Sequence, residues 1–119
     1  MDAHEHNLVH PLSPRDNVSD FFQAVGRGDV DKAARFLRNG WNVQTRNEYG
    51  HSAIHDAVKN NDLSMVQLLI DFGANVNEIH EALLTPLHYA AKYRDGAVVK
   101  LLLENGADPD IASEVRTLL

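Results

Sequence analysis

Apolar residues recur along this chain at helical spacing, in short stretches that end at a glycine. In "AVVKLLLENG", Val98, Leu101 and Leu102 fall on one side of a helix, and Gly106 follows its last turn. Glycine adopts the left-handed conformation that ends a helix more readily than any other residue. In "TPLHYAA", Thr85 can cap a helix whose first turn tolerates the following proline. The pattern therefore predicts pairs of short helices joined by turns.

This helix pair recurs along the chain. "LLIDFGANVN" (68–77) and "LLLENGADPD" (101–110) superpose at a shift of 33 residues, and "RFLRNGWNVQ" (35–44) lies one further period upstream. The same shift takes His55 to His88. Repeats of this length cannot bury their apolar face alone, so they stack side by side. The period thus predicts a helical solenoid.

The residues of these copies resemble the ankyrin-repeat pattern, which has the same period and the hallmark T-P-L-H-x-A. The third copy carries "TPLHYAA" followed by "VVKLLLENGADP", and the second carries "SAIHDAV" in the equivalent place, where Ser52 is predicted to supply the capping hydroxyl. The resemblance implies an all-α repeat solenoid, in which helix-turn-helix ankyrin repeats stack and end in β-turn or hairpin tips. The copies span residues of about 17–46, 47–79 and 80–112.

The resemblance also divides the chain into parts. Residues 17–119 are predicted to form the ankyrin-repeat domain, and residues 1–16 a flexible N-terminal tail. Residues 113–119 are either the start of a fourth repeat, as in a piece of a longer array, or a C-terminal cap. Phe21 and Phe22 replace the Leu and His of the hallmark, which suits an N-terminal cap that has no earlier repeat to contact.

The third copy departs from the others at the turn before its first helix. Gly50 lies at the tip of "TRNEYGHS", and Leu83 takes the equivalent place. Because leucine adopts a positive φ only at a cost, we expect this turn to change conformation or to be held by burial. With Ile79 and Leu84, Leu83 forms either an exposed apolar patch, which usually marks an interface, or an extension of the core.

Composition limits the classes of partner. The chain has 119 residues, 44% hydrophobic and 24% charged, with a net charge of -6 and no cysteine. This is the composition of a soluble globular domain, and its acidic balance disfavours nucleic acid. The sequence contains neither a secretory signal nor an apolar run of the ~20 residues that cross a bilayer. We therefore expect an intracellular protein, cytoplasmic or nuclear, that binds no nucleic acid and no membrane.

The histidines are the main candidates for chemistry. His4, His6 and His10 have a spacing that a metal ion could use, but they lie in the predicted tail. His55 and His88 occupy one position in successive copies, so we expect them ~8 to 10 Å apart, which is too far for shared ligation. Both are predicted to be structural, with hydrogen bonds from the first helix to turn backbone. With neither a catalytic triad nor a phosphate-binding loop, the sequence predicts no enzyme, no cofactor, no metal and no small-molecule substrate.

The resemblance implies a protein-protein interaction module that binds its partner on the concave face, which the turn tips and the first helix of each repeat line. We expect the partner to be another protein, and a basic or amphipathic segment of it, because Glu48, Asp56 and Glu81 would favour basic side chains. Two alternatives stay open: an inhibitor or immunity-type protein that blocks an enzyme with this surface, and a structural spacer in a longer protein. The candidate partner-binding residues are Glu48, Tyr49, His51, Lys59, Asn60, Ile79, Glu81, Leu83, Leu84, Tyr89, Lys92 and Tyr93.

Asn77 raises a separate hypothesis. It ends "LLIDFGANVN", a context that resembles the ankyrin asparagines modified by an intracellular hydroxylase in some members. The simpler interpretation is that an asparagine in this turn makes local hydrogen bonds to the backbone.

Overall fold

The computed structural model describes residues 17–79, 84–92 and 96–111. Within these ranges the chain forms six helices and a single isolated antiparallel bridge, between Arg46 and Ser52. The helices are α1 (Val18–Gly26), α2 (Val30–Arg38), α3 (Ala53–Lys59), α4 (Leu63–Asp71), α5 (Pro86–Lys92) and α6 (Gly96–Glu104). The predicted all-α repeat fold is confirmed.

The helices form two layers. α3 packs between α1 and α5 in one layer, and α4 packs between α2 and α6 in the other. Each helix of the first layer also packs against the helix that follows it in the chain. None of the helices in the described ranges is long and apolar enough to cross a membrane.

Side chains just before the helices fix where several of them begin. Asn17 and Asp20 form a capping box, in which each side chain accepts a hydrogen bond from the backbone N–H of the other residue. Asp29 and Asp62 cap α2 and α4 through the N–H groups three residues ahead, at 3.1 Å in both cases. A cap of this kind contributes about 1 kcal/mol.

The turns after the second helices are set by glycine, as the pattern predicts. Gly40, Gly73 and Gly106 have φ values of 93°, 92° and 95°. An L-residue would be strained at such a φ, so these positions specify where each copy turns back.

The hydroxyl of Ser52, which was expected to cap α3, contacts a histidine side chain instead. Ser52 makes no capping hydrogen bond to the helix backbone. Its Oγ lies 2.8 Å from Nδ1 of His55, one turn further along. In the third copy, Thr85 lies 3.1 Å from Nδ1 of His88 and also accepts the His88 backbone N–H at 3.4 Å. The prediction of a backbone cap at Ser52 is wrong because the buried imidazole takes its hydroxyl.

An aromatic cluster fills the core of the first copy. The Trp41 ring lies 5.4 Å from that of Phe21 and 5.3 Å from that of Phe36. Such ring pairs add to the stabilisation from burial. The structure therefore places Trp41 in a packing role.

α2 of the first copy carries charged residues at two positions where α4 of the second copy carries apolar ones. Lys32 and Arg35 stand one period before Met65 and Leu68. Met65 is fully buried, whereas Lys32 is half-exposed and Arg35 exposed. Charged side chains keep this part of α2 in water, as expected of a terminal repeat.

Candidate functional site

The candidate site is the solvent side of α1, α3 and α5 together with the turn at residues 46–51, which we call the α1–α3–α5 face. Glu48, Tyr49, Lys59, Asn60 and Lys92 are exposed on it. The binding residues predicted from sequence therefore include a group that reaches solvent on one side of the stack.

The turn at residues 46–51 is held by its own hydrogen bonds. The Asn47 side-chain oxygen accepts the N–H groups of Tyr49 and His51, at 2.9 and 3.0 Å. Asn47 also pairs through its backbone with His51 and Gly50, at 2.9 and 3.0 Å. Gly50 has a φ of 78°, which allows the chain to reverse without strain. The turn therefore presents Tyr49 from a fixed backbone, with 67% of that residue exposed.

Arg46 ties this turn to the next copy. Its guanidinium donates to the Gly50 carbonyl at 2.6 Å and to the Ile79 carbonyl at 2.8 Å. It also forms an ion pair with the Glu78 carboxylate. Arg46 was not among the predicted site residues, because its contacts with Glu78 and Ile79 span 32 and 33 positions of the sequence.

A histidine and a carboxylate lie beside the turn. Nδ1 of His51 is 3.1 Å from Oδ1 of Asp56, and both side chains are about one-fifth exposed, at 20% and 23%. Because a carboxylate only accepts, His51 Nδ1–H is the donor. The His51 ring also lies 6.4 Å from the ring of Tyr49. Asp56 thus brings a negative charge to the face and orients His51.

His55 lies beneath the face and is 1% exposed. Because a carbonyl only accepts, its Nε2–H donates to the Leu84 carbonyl at 3.2 Å, and its Nδ1 lies 2.8 Å from the Ser52 hydroxyl. The structural role predicted for His55, a hydrogen bond from the first helix to turn backbone, is confirmed. His88, which is half-buried, makes its hydrogen bonds to Thr85.

Two predicted binding residues are mostly covered. Tyr89 is only 9% exposed and packs edge-on against His55, with the ring centroids 5.6 Å apart. Leu84 is half-buried and packs against the hydrophobic core. Most of each side chain is covered, so any contact of Tyr89 or Leu84 with a partner stays a prediction, and the described contacts of both side chains are within the protein. For Leu84, the structure favours the core-extension interpretation.

Of four further predicted binding residues, the structure describes only Ile79. Ile79 is half-buried, and its carbonyl accepts from Arg46. Glu81, Leu83 and Tyr93 lie outside the described residues. The same holds for the N-terminal histidines and for residues 113–119.

The side chain of Asn77 reaches the next copy rather than its own turn. Its amide nitrogen donates to the Gly106 carbonyl at 3.1 Å, and its amide oxygen accepts the Asp108 N–H at 2.7 Å. Only its backbone N–H makes a local contact, to the Asn75 side chain at 2.9 Å. The prediction of purely local hydrogen bonds for Asn77 is therefore wrong, because both ends of the amide are used between repeats.

A groove beside the turn was not predicted. It encloses about 610 Å³ between α1 and residues 46–49. Its lining residues are Val18, Ser19, Phe22, Gln23, Arg46, Asn47, Glu48 and Tyr49. One signal in the sequence could have indicated it: Gln23 stands one period before Asp56, so the first copy contributes a polar residue to the same face.

Among the described residues, no group of three or more His, Cys, Asp or Glu side chains is placed to hold a metal ion. The hydrogen bonds here form two separate pairs, Ser52 with His55 beneath the face and His51 with Asp56 beside the turn.

Comparison with protein families adds one finding. The family model described as ankyrin repeats, in three copies, matches residues 21–113. A comparison with curated proteins found no significant match.

Proposed function

Since the chain belongs to the ankyrin-repeat family, whose members are generally protein-protein interaction modules, we propose that it binds a protein partner non-covalently on the α1–α3–α5 face. The observation that carries this proposal is Tyr49, a residue that is 67% exposed on a turn held in place by its own hydrogen bonds. Exposed aromatic rings on a rigid support make effective binding anchors, because little conformational freedom is lost when the partner docks.

Charge on the face supports a basic or amphipathic partner segment. Glu48 is exposed next to Tyr49, and the side chain of Asp56 on α3 is about one-fifth exposed, at 23%. Lys59 and Lys92 add positive charge further along the face, at the ends of α3 and α5. A segment with a basic side chain near the turn and acidic or apolar side chains further along would complement this arrangement.

The proposed working environment is the interior of the cell, because a chain of 119 residues without cysteine needs no oxidising compartment. An inhibitor would use the same face as an adaptor does, so an activity assay on any enzyme recovered with the chain distinguishes these two roles.

The test is affinity purification of partners on the immobilised chain, followed by calorimetric titration of the identified partner. Tyr49→Ala should weaken binding at least about tenfold, as expected for loss of an aromatic anchor. Phe72→Ala is the matched control, because Phe72 is also an exposed aromatic residue, at 39%, but follows α4 in the other layer. Loss of binding in Phe72→Ala with full binding in Tyr49→Ala would place the interface on the opposite side and refute the proposal.

A further inference from the structure

The groove between α1 and the turn at residues 46–49 differs from the rest of the α1–α3–α5 face because it is concave and largely apolar. Val18 is half-buried and Phe22 is 9% exposed, and both line it beside the exposed ring of Tyr49. Its volume of about 610 Å³ lies within the ~300 to 1,000 Å³ typical of ligand-binding pockets. Side chains of a partner can therefore enter the groove, whereas on a flat surface they could only rest against it.

Two charged side chains line the groove, Arg46 and Glu48, and they differ in whether they are already paired within the protein. Arg46 is paired with Glu78 and donates to two carbonyl oxygens, so its charge is offset within the protein. Glu48, across the described part of the chain, forms neither an ion pair nor a side-chain hydrogen bond. The groove consequently offers one unpaired carboxylate next to an exposed aromatic ring.

A carboxylate beside a tyrosine ring is suited to an organic cation. The carboxylate pairs with an arginine or lysine side chain, and the ring attracts the same cation through its negative face. Apolar side chains on the groove floor add affinity for a neighbouring aliphatic or aromatic residue. Because the backbone N–H groups of Tyr49 and His51 donate to the Asn47 side-chain oxygen, the turn is in place before the partner arrives.

From these observations the geometry points to a specific occupant: an extended peptide segment with an arginine or lysine one or two residues from a large apolar side chain. The cation lies between Glu48 and Tyr49, and the apolar side chain contacts Val18 and Phe22. This inference rests on the proposed function and extends it, because it assigns part of the partner contact to α1 in the first copy.

The experiment selects binders from a displayed library of random peptides and measures the best one by fluorescence polarisation. We expect the selected peptides to share a basic residue close to an apolar one. Glu48→Gln should weaken the best peptide roughly fivefold, which corresponds to one exposed ion pair. A synthetic version with norleucine in place of the basic residue should not respond to Glu48→Gln, because the two changes remove the same interaction.

Two further variants locate the contact. Ser19→Arg adds a bulky cation at an exposed position on the groove wall and should weaken the peptide more than Glu48→Gln does. Glu104→Gln, the same charge change at the exposed end of α6, should leave the affinity within about twofold.

The inference is overturned if the selected peptides show no preference for a basic residue, or if Glu48→Gln and Ser19→Arg both bind as well as the unchanged protein. If those two variants bind normally while Lys59→Glu and Asn60→Ala lose the partner, the α1–α3–α5 face is the interface but the groove is not. That outcome separates failure of this inference from failure of the proposed function.

Discussion

The junction between the first and second copies and the junction between the second and third occupy equivalent places in the stack but use different side chains. We call them the first and second junctions. Both contain an amide that bridges two backbone groups of the following copy. Gln44 contacts the Gly73 carbonyl and the Asn75 N–H at 3.2 and 3.4 Å. Asn77, one period later, contacts the equivalent groups at 3.1 and 2.7 Å.

The junctions differ in what accompanies the amide. The first has Arg46, whose side chain is 36% exposed and joins two turns at the surface. The second has His55, which is 1% exposed and reaches the carbonyl of the half-buried Leu84 in the next copy. Hydrogen bonds away from water cost more to break, because the groups left behind stay unsatisfied.

From this comparison we expect the second junction to contribute more to stability and the first junction to matter more for the proposed binding surface. Because the second junction includes the buried side chain of His55, we expect its contacts to contribute more to the stability of the stack. The exposed contacts of the first junction position the turn that carries Glu48 and Tyr49, so losing them should change the proposed binding surface more than the fold.

The largest effect is expected at the second junction from His55→Ala. This change removes hydrogen bonds to Ser52 and Leu84 and the edge-on contact with Tyr89, and we expect it to lower the free energy of unfolding by about 3 kcal/mol. Urea unfolding followed by circular dichroism measures it. His88→Ala is the matched control: it removes a half-buried histidine from the equivalent position and should cost about 1 kcal/mol. Equal losses would contradict a special role for His55.

An intermediate effect is expected from the amides. Asn77→Ala should cost about 2 kcal/mol, because a donor and an acceptor in the following copy each lose a partner. Gln44→Ala should cost about 1 kcal/mol, since its hydrogen bonds are longer and its side chain loses more rotamer freedom on forming them. The same urea titrations compare the two. A larger loss of unfolding free energy in Gln44→Ala than in Asn77→Ala would contradict the expectation that the second junction contributes more to stability.

The smallest effect on stability is expected from Arg46→Ala, at about 1 kcal/mol, because the side chain is partly solvated. Its local effect should be greater. Hydrogen exchange at the Gly50 N–H, which is bonded to the Asn47 carbonyl at 3.0 Å, should become faster. Arg46→Lys should restore little of this protection, because one ammonium cannot reproduce the planar fork of donors. Unchanged exchange in Arg46→Ala would show that the turn is ordered without Arg46.

Local features of the fold were readable from the sequence. The helix pairs follow from apolar spacing, and Gly40, Gly73 and Gly106 mark where the second helices end. These signals act within a few residues of one another, so no tertiary contact is needed to interpret them. The prediction failed locally at Ser52, where a buried histidine competes for the hydroxyl.

The candidate site was only partly predictable. Exposure of Tyr49 and Lys59 follows from the repeat register. Burial of Tyr89 does not, because it depends on His55 of the preceding copy. The groove joins α1 to the turn at residues 46–49, and nothing local to either segment indicates that they meet.

By itself, the sequence determined the period, the helix pairs and the direction in which each copy turns, because spacing and backbone preference act over short distances along the chain. Tertiary structure alone decided which polar groups are paired across the stack and which remain available to a partner. Arg46 and Glu78 are 32 positions apart, and His55 and Leu84 are 29 apart. Such pairs depend on how neighbouring copies pack, and because Arg46 pairs with Glu78, Glu48 is left as the unpaired carboxylate of the groove.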